Sequence, residues 1–191
     1  MAPGGSNPTR LYTRTGDRGA TGLVGGARIG KDSPRIRAFG SLDELGAQIG
    51  VAAANLPPDL PEISTLLLRV QHELGIAQAE LATPPGAAAP THRIEARHVE
   101  RVEAEIDRYS ATIEPVHSFV LPRGNRAGAH LHVARTVARR AEREVWALNA
   151  VEPVRPELTS WLNRVSDLFF ALALSANRHE GFRDVPPDYT T

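Results

Sequence analysis

Apolar residues recur at helical spacing in five stretches of the chain, and glycine- and proline-rich segments separate them. The first stretch is predicted to open at Ser41, whose hydroxyl can cap the backbone while Glu44, three residues on, completes a capping box. Leu42, Leu45, Ile49 and Ala53 form its apolar stripe, and Pro57 and Pro58 end it. The second runs from Pro61, suited to a first helical turn, to Leu81, with Ile63, Leu66, Leu67, Val70, Leu74 and Ala77 on one face. The segment TPPGAAAP then forces a loop. A third, charged helix is expected over residues 92–109, carrying Ile94, Val99, Val102 and Ile106. Residues 113–125 contain FVLPRGN, whose proline and glycine oppose a continuous helix and leave Phe119 on an ordered loop. The fourth helix, residues 127–149, packs with Leu131, Ala134, Ala138, Ala141, Val145 and Leu148. The fifth, residues 156–179, packs with Leu162, Val165, Phe169, Leu172 and Ala176. The fold class that follows is all-α, a five-helix antiparallel bundle. It is preceded by a Gly/Thr-rich segment over residues 10–40, read as loop with short extended pieces.

A length of 191 residues suits one well-cored domain. We expect residues 1–9, Pro/Gly-rich and without an apolar run, to be a disordered leader, residues 10–180 to be the bundle domain and residues 181–191 a tail. Twenty-two basic residues cancel twenty-two acidic ones. This removes the basic field of a nucleic-acid or anionic-membrane binder, so any anion site must be local. With no cysteine, disulfides, thiolate metal sites and a Cys nucleophile are excluded. No apolar run approaches membrane-spanning length, and a cytoplasmic chain is expected.

Three constellations could carry chemistry. In TRTGDRGATGL, Thr13 to Leu23, alternating hydroxyls and glycines leave backbone N–H groups able to cradle an anion, with Arg14, Arg18 and Lys31 adding charge. It is not a Walker loop, since no Gly-Lys-Ser/Thr follows, and a mobile glycine-rich connection is the bland alternative. In LHVARTVARRAERE, Leu131 to Glu144, Arg135, Arg139 and Arg143 stack at i, i+4 positions with His132, beside the apolar stripe. Stacked like charges repel by roughly 0.2–0.5 kcal/mol per pair, so carboxylates or phosphates should neutralise them. A solvated cationic face or subunit salt bridges would also account for the row. In the last helix Asn163, Ser166, Asp167 and Phe170 border the core face, suiting a ligand, a second subunit or ordinary interhelical hydrogen bonds. Asp43, expected one turn into the first helix, is either a dipole partner or a pairing group for an arginine. His92, His98, His130 and His132 lack zinc-helix pairing with a carboxylate and read as surface or core-edge residues, so no side-chain metal site is expected.

Taken together, TRTGDRGATGL, FGSLDELGAQIG, FVLPRGN, LHVARTVARRAERE and LNRVSDLFF resemble the PduO-type ATP:cob(I)alamin adenosyltransferases, across nearly the whole chain. The resemblance implies a homotrimer of five-helix bundles with ATP and cobalamin bound between subunits. It sets Thr13, Arg14, Thr15, Gly16, Thr21, Gly22 and Lys31 around the nucleotide, with Arg139, Arg140, Glu142, Arg143 and Asn163 completing the site from a neighbour. It pairs Arg135 with Asp43 at the subunit contact and sets Phe119 and Phe170 at the corrinoid. The aromatic matching Phe119 excludes the lower axial ligand, leaving four-coordinate Co(II), which is easier to reduce. Mg²⁺ would accompany ATP, near Glu142. Arg123 stands where the family commonly has glycine.

The implied reaction also suits what the chain lacks. Co(I) is itself the nucleophile at the 5′ carbon of ATP, so the protein needs only positioning and charge stabilisation as triphosphate leaves. Phe119, Arg135, Asp43 and Arg139 are the residues expected to carry it. A cobalamin reductant and an adenosylcobalamin-dependent mutase are the expected partners, with neither nucleic acid nor membrane. The rival readings are a non-catalytic ATP/corrinoid carrier and a purely structural trimer.

Overall fold

The computed structural model describes residue 12, residues 14–116 and residues 118–190. The expected leader, residues 1–9, lies outside the described residues. Two short strands, β1 (Ala20–Gly22) and β2 (Arg28–Gly30), pair antiparallel with Thr21 opposite Ile29. Their turn needs two left-handed residues, supplied by Gly25 at φ 85° and Gly26 at φ 86°. Five helices follow: α1 (Pro34–Ala54), α2 (Pro61–Leu81), α3 (Ala96–Ser110), α4 (Arg126–Asn149) and α5 (Pro156–His179). The all-α bundle is as expected, with the hairpin as the sheet among the described residues.

Helices α2 and α5 begin at a proline in the first turn, where its missing N–H costs nothing, and both match the expected ranges. The start of α1 does not. It lies at Pro34, with Ser33 as N-cap accepting from Ile36 N at 3.3 Å. Ser41 is therefore interior, its hydroxyl donating to Arg37 O at 2.9 Å rather than capping. Ser33-Pro34 is the stronger start signal, and Ala38 extends the buried stripe one turn upstream. At the other end Ala52 is buried while Ala53 is only partly so. Asp43 thus sits mid-helix, too far from the N-terminus to serve the dipole. Helix α3 starts later than expected, at Ala96, because Glu95 N donates to His98 Nδ1 at 2.9 Å and closes the entry. Ile94, outside the helix, is still buried, with its N–H donated to Glu80 Oε2 at 3.2 Å.

Helix α4 packs on α1 and on α5, α5 also packs on α3, and α1 on α2. Helices α1 and α4 run antiparallel, since Glu44 pairs with Arg140 while Gln48 reaches His130. The core centres on Trp161, Phe169, Leu42, Leu45, Leu131 and Leu148, all fully buried. Glu73, 3 % exposed, is held by the Trp161 indole N–H at 2.8 Å and by Arg101 at 3.5 Å, the partners a buried carboxylate requires. No helix is long and apolar enough to cross a membrane.

The loop before α4 is clamped to α5. Asn125 caps α4 by accepting from Gly128 N at 2.6 Å, and its amide donates to Ala176 O at 2.8 Å. Asn177 accepts from Asn125 N at 3.1 Å and donates to Arg123 O at 2.9 Å. Gly124 and Gly128 leave room for this side chain where any Cβ would collide with it. Asn177→Ala, at a position 2 % exposed, should orphan two backbone groups and lower stability by roughly 2–4 kcal/mol, read from chemical denaturation.

Candidate functional site

The described part of the Gly/Thr segment is tied together by internal hydrogen bonds. One guanidinium nitrogen of Arg28 donates to Thr15 O at 2.6 Å and to Ala20 O at 2.9 Å. Gly19 N donates to Gly16 O at 3.2 Å and Lys31 N to Gly19 O at 2.8 Å. Four carbonyls are thereby turned to internal donors, which takes their negative ends away from an incoming anion. Gly16 lets Lys31 pack close, since a Cβ there would stand 3.2 Å from the ammonium nitrogen. Arg14 adopts φ 60°, and its guanidinium lies 5.3 Å from the Tyr12 ring centroid. Thr13 lies outside the described residues.

Sequence reasoning missed what anchors this loop. Val24 N donates to Ala82 O at 2.9 Å, docking the hairpin turn at the end of α2. Arg35, 6 % exposed, donates to Leu81 O and pairs with Glu152 between α4 and α5, and burial lowers its pKa. Thr21, Gly22, Lys31 and Arg35 line a cavity of about 260 Å³ floored by Ile36, Phe39 and Leu81. Neither Arg28 nor Arg35 carries a short-range signature: Arg28 acts on carbonyls earlier in its own loop, and Arg35 on the end of α2.

The second set of residues meets elsewhere. Arg135, Arg139, Asp167 and Phe170 line a cavity of about 630 Å³, within the range of about 300–1,000 Å³ usual for small-molecule sites. Phe119 stands at its edge, 80 % exposed, on the loop that Asn177 clamps. Pro186, Pro187 and Tyr189 of the tail complete the wall, tied to the loop by Leu121 N donating to Val185 O at 2.8 Å. The tail residues were not legible as lining because no periodicity points them there.

The stacked arginines resolve into different partners. Arg135 lies over Phe170, 5.1 Å from the ring centroid. Arg143 donates to Arg139 O at 3.1 Å, and Arg140 pairs with Glu44 of α1. Among the described residues Arg139 meets no carboxylate within the protomer. Asn163 donates to Glu142 Oε1 at 3.1 Å and accepts from Arg164 at 2.6 Å, so these two expected site residues do meet. Arg135 does not pair with Asp43, which is exposed on α1. Burial, and then the Arg139 charge, lower the Arg135 pKa, with Asp167 opposing them. The Lys31 and Arg139 sets line different cavities. Among the described residues no group of three or more His, Asp or Glu could hold a metal ion.

His132 is not at the core edge but 1 % exposed, and neither ring nitrogen has a hydrogen-bond partner. Its ring centroid lies 6.1 Å from that of Phe170. Burial, and then the Arg135 charge, push its pKa down to about 4. His98 is likewise buried, where it serves the α3 entry.

The described residues thus set a Gly/Thr hairpin at one place and a cationic, aromatic-walled cavity at another, on a helical bundle. The cobalamin adenosyltransferase family profile matches residues 11–176. The corrinoid adenosyltransferase of Bacillus subtilis (strain 168) is 41% identical over 178 residues, spanning 92% of this chain and 91% of the relative. The corrinoid adenosyltransferase PduO of Salmonella typhimurium is 43% identical over 164 residues, 85% of this chain and 48% of that longer protein. A variant PduO-type ATP:corrinoid adenosyltransferase from Lactobacillus reuteri, solved with cobalamin and ATP, superposes with a TM-score of 0.88 at 33% identity, covering 93% of this chain and 99% of that one. The chain belongs to the cobalamin adenosyltransferase family.

The depressed His132 pKa has a signed consequence. Between the ordinary value of 6.5 and about 4 the unfolded chain binds a proton that the folded chain refuses. Stability therefore falls as pH drops through that window, by at most about 3 kcal/mol from this group. Denaturation at pH 7 and at pH 4.5 should show a smaller loss for His132→Leu than for the unsubstituted protein.

Proposed function

We propose that the protein transfers the 5′-deoxyadenosyl group of ATP to the cobalt of reduced cob(I)alamin, giving adenosylcobalamin and triphosphate. Membership of the family supports the activity, and the observation that carries the site is the cavity lined by Phe119 together with the stacked Arg135 and Phe170. Co(I) supplies the electron pair for the new Co–C bond as the C5′–O bond breaks, and triphosphate leaves with that oxygen. The protein's part is to hold both substrates in line and to receive the developing negative charge. No side-chain base or nucleophile is needed.

In this reading the nucleotide lies against Arg14, Thr15, Gly16, Thr21, Gly22 and Lys31, with Thr13 beside them. Arg139, Arg140, Glu142, Arg143 and Asn163 reach it from a neighbouring copy, and Mg²⁺, were it to accompany ATP near Glu142, would supply charge neutralisation for the phosphates. The separation of the Lys31 and Arg139 cavities within one protomer supports a homotrimer with sites between subunits. The same assembly would bring Asp43 of one copy to Arg135 of the next, each lacking that partner within its own chain. Phe119 and Phe170 hold the corrinoid side, Phe119 excluding the lower axial ligand. Residues 10–180 form the catalytic domain of a cytoplasmic enzyme that draws on a cobalamin reductant and hands its product to a mutase.

An anaerobic assay with chemically reduced cobalamin and Mg·ATP tests the reading, following conversion of the Co(I) spectrum and release of triphosphate. Binding of both without turnover would instead establish a carrier. Phe119→Ala should keep the ATP KM and lower turnover from Co(II) at least about tenfold, a loss that unchanged turnover would refute. Arg139→Ala should raise the ATP KM by roughly 10- to 100-fold, the worth of a charge-assisted hydrogen bond, in steady-state kinetics.

A further inference from the structure

The ring of Phe170 is shared. Arg135 places its guanidinium 5.1 Å from the ring centroid, and His132, three residues earlier on the same face of α4, sets its imidazole 6.1 Å away at an interplanar angle of 53°. Both distances lie in the range where an aromatic quadrupole attracts a cation or the polarised edge of another ring. Phe170 is itself half-buried and lines the large cavity, so its orientation shapes the surface offered to a ligand.

Packing does not explain an imidazole here. His132 is buried with both ring nitrogens unpartnered, which is unfavourable, and a leucine would fill the space without desolvating a polar group. A residue that weakens the core at the edge of a site is expected where it serves the site. A permanent cation would serve badly, adding to the charge of Arg135 and Arg139 and competing with Arg135 for the same ring.

We infer that His132 is a positioning residue that fixes the Phe170 ring, and through it the Arg135 guanidinium, as one wall of the corrinoid-side cavity. The imidazole touches no substrate; its neutral edge orients Phe170, which does. The inference rests on the corrinoid lying against Phe119 and Phe170. Because a displacement of about 1 Å can cost about 100-fold in rate, a reoriented Phe170 is felt as a misplaced corrinoid while the nucleotide set is untouched.

Three variants test it: His132→Leu, Phe170→Ala and the double variant, each assayed for cobalamin KM, ATP KM and thermal midpoint at pH 7. His132→Leu should raise the cobalamin KM about tenfold, leave the ATP KM within about twofold and keep or raise the midpoint. The double variant should be no worse than Phe170→Ala, because one acts through the other. Impaired Phe170→Ala beside a normal cobalamin KM in His132→Leu overturns the positioning role alone. An unimpaired Phe170→Ala removes the corrinoid placement and the inference with it. A lowered midpoint with both KM values raised in His132→Leu would make the histidine structural, which also overturns it.

Discussion

Helix α4 has to pack on two neighbours at once, and much of the molecule follows from that. Its buried face combines small residues, Ala127, Gly128, Ala134, Ala138 and Ala141, with Leu131, Val137, Val145 and Leu148. Small side chains let helices approach closely and gain dispersion contacts along their length. The polar residues of α4 lie mostly off that buried face, and some of them border α5: Arg135 and Arg139 line the large cavity with Asp167 and Phe170, and Glu142 accepts from Asn163.

Buried polar groups divide into two kinds. Glu73, Arg35 and Asn177 are each matched by several partners drawn from distant segments, and each staples elements together: α2 to α5, α1 to the end of α2, and the Phe119 loop to α5. A satisfied buried network rigidifies what it joins. Among the described residues His132 is buried with neither ring nitrogen partnered, and it lies beside the aromatic wall of the large cavity. The staples hold the scaffold, while the unmatched imidazole is a cost borne beside Phe170 and the large cavity.

Zero net charge is likewise resolved locally. Arg140, Arg35 and Arg164 are neutralised by Glu44, Glu152 and Glu103. Among the described residues Arg139 has no carboxylate in a salt bridge with it and lines the large cavity. A neutral chain can therefore offer a strong anion site without a basic field over its surface.

The sequence by itself determined the helices whose signals are local. Periodic apolar faces and a first-turn proline suffice for α2 and α5, because propensity, period and termination depend on residues within a turn or two of one another. It also carried the order of motifs, through which the family was legible. The start of α1 was misread because Ser41 and Glu44 imitate a capping box inside a helix that Ser33 had already begun. Only the tertiary structure decided what the α4 arginines meet: Arg135 an aromatic ring of α5, Arg143 a carbonyl of its own helix, and Arg140, one position off the i, i+4 row, a carboxylate of α1. The same holds for Arg35 behind the hairpin, the tail in the cavity wall and the burial of His132. Each depends on groups far apart along the chain, and such proximity is set by packing rather than by any local pattern.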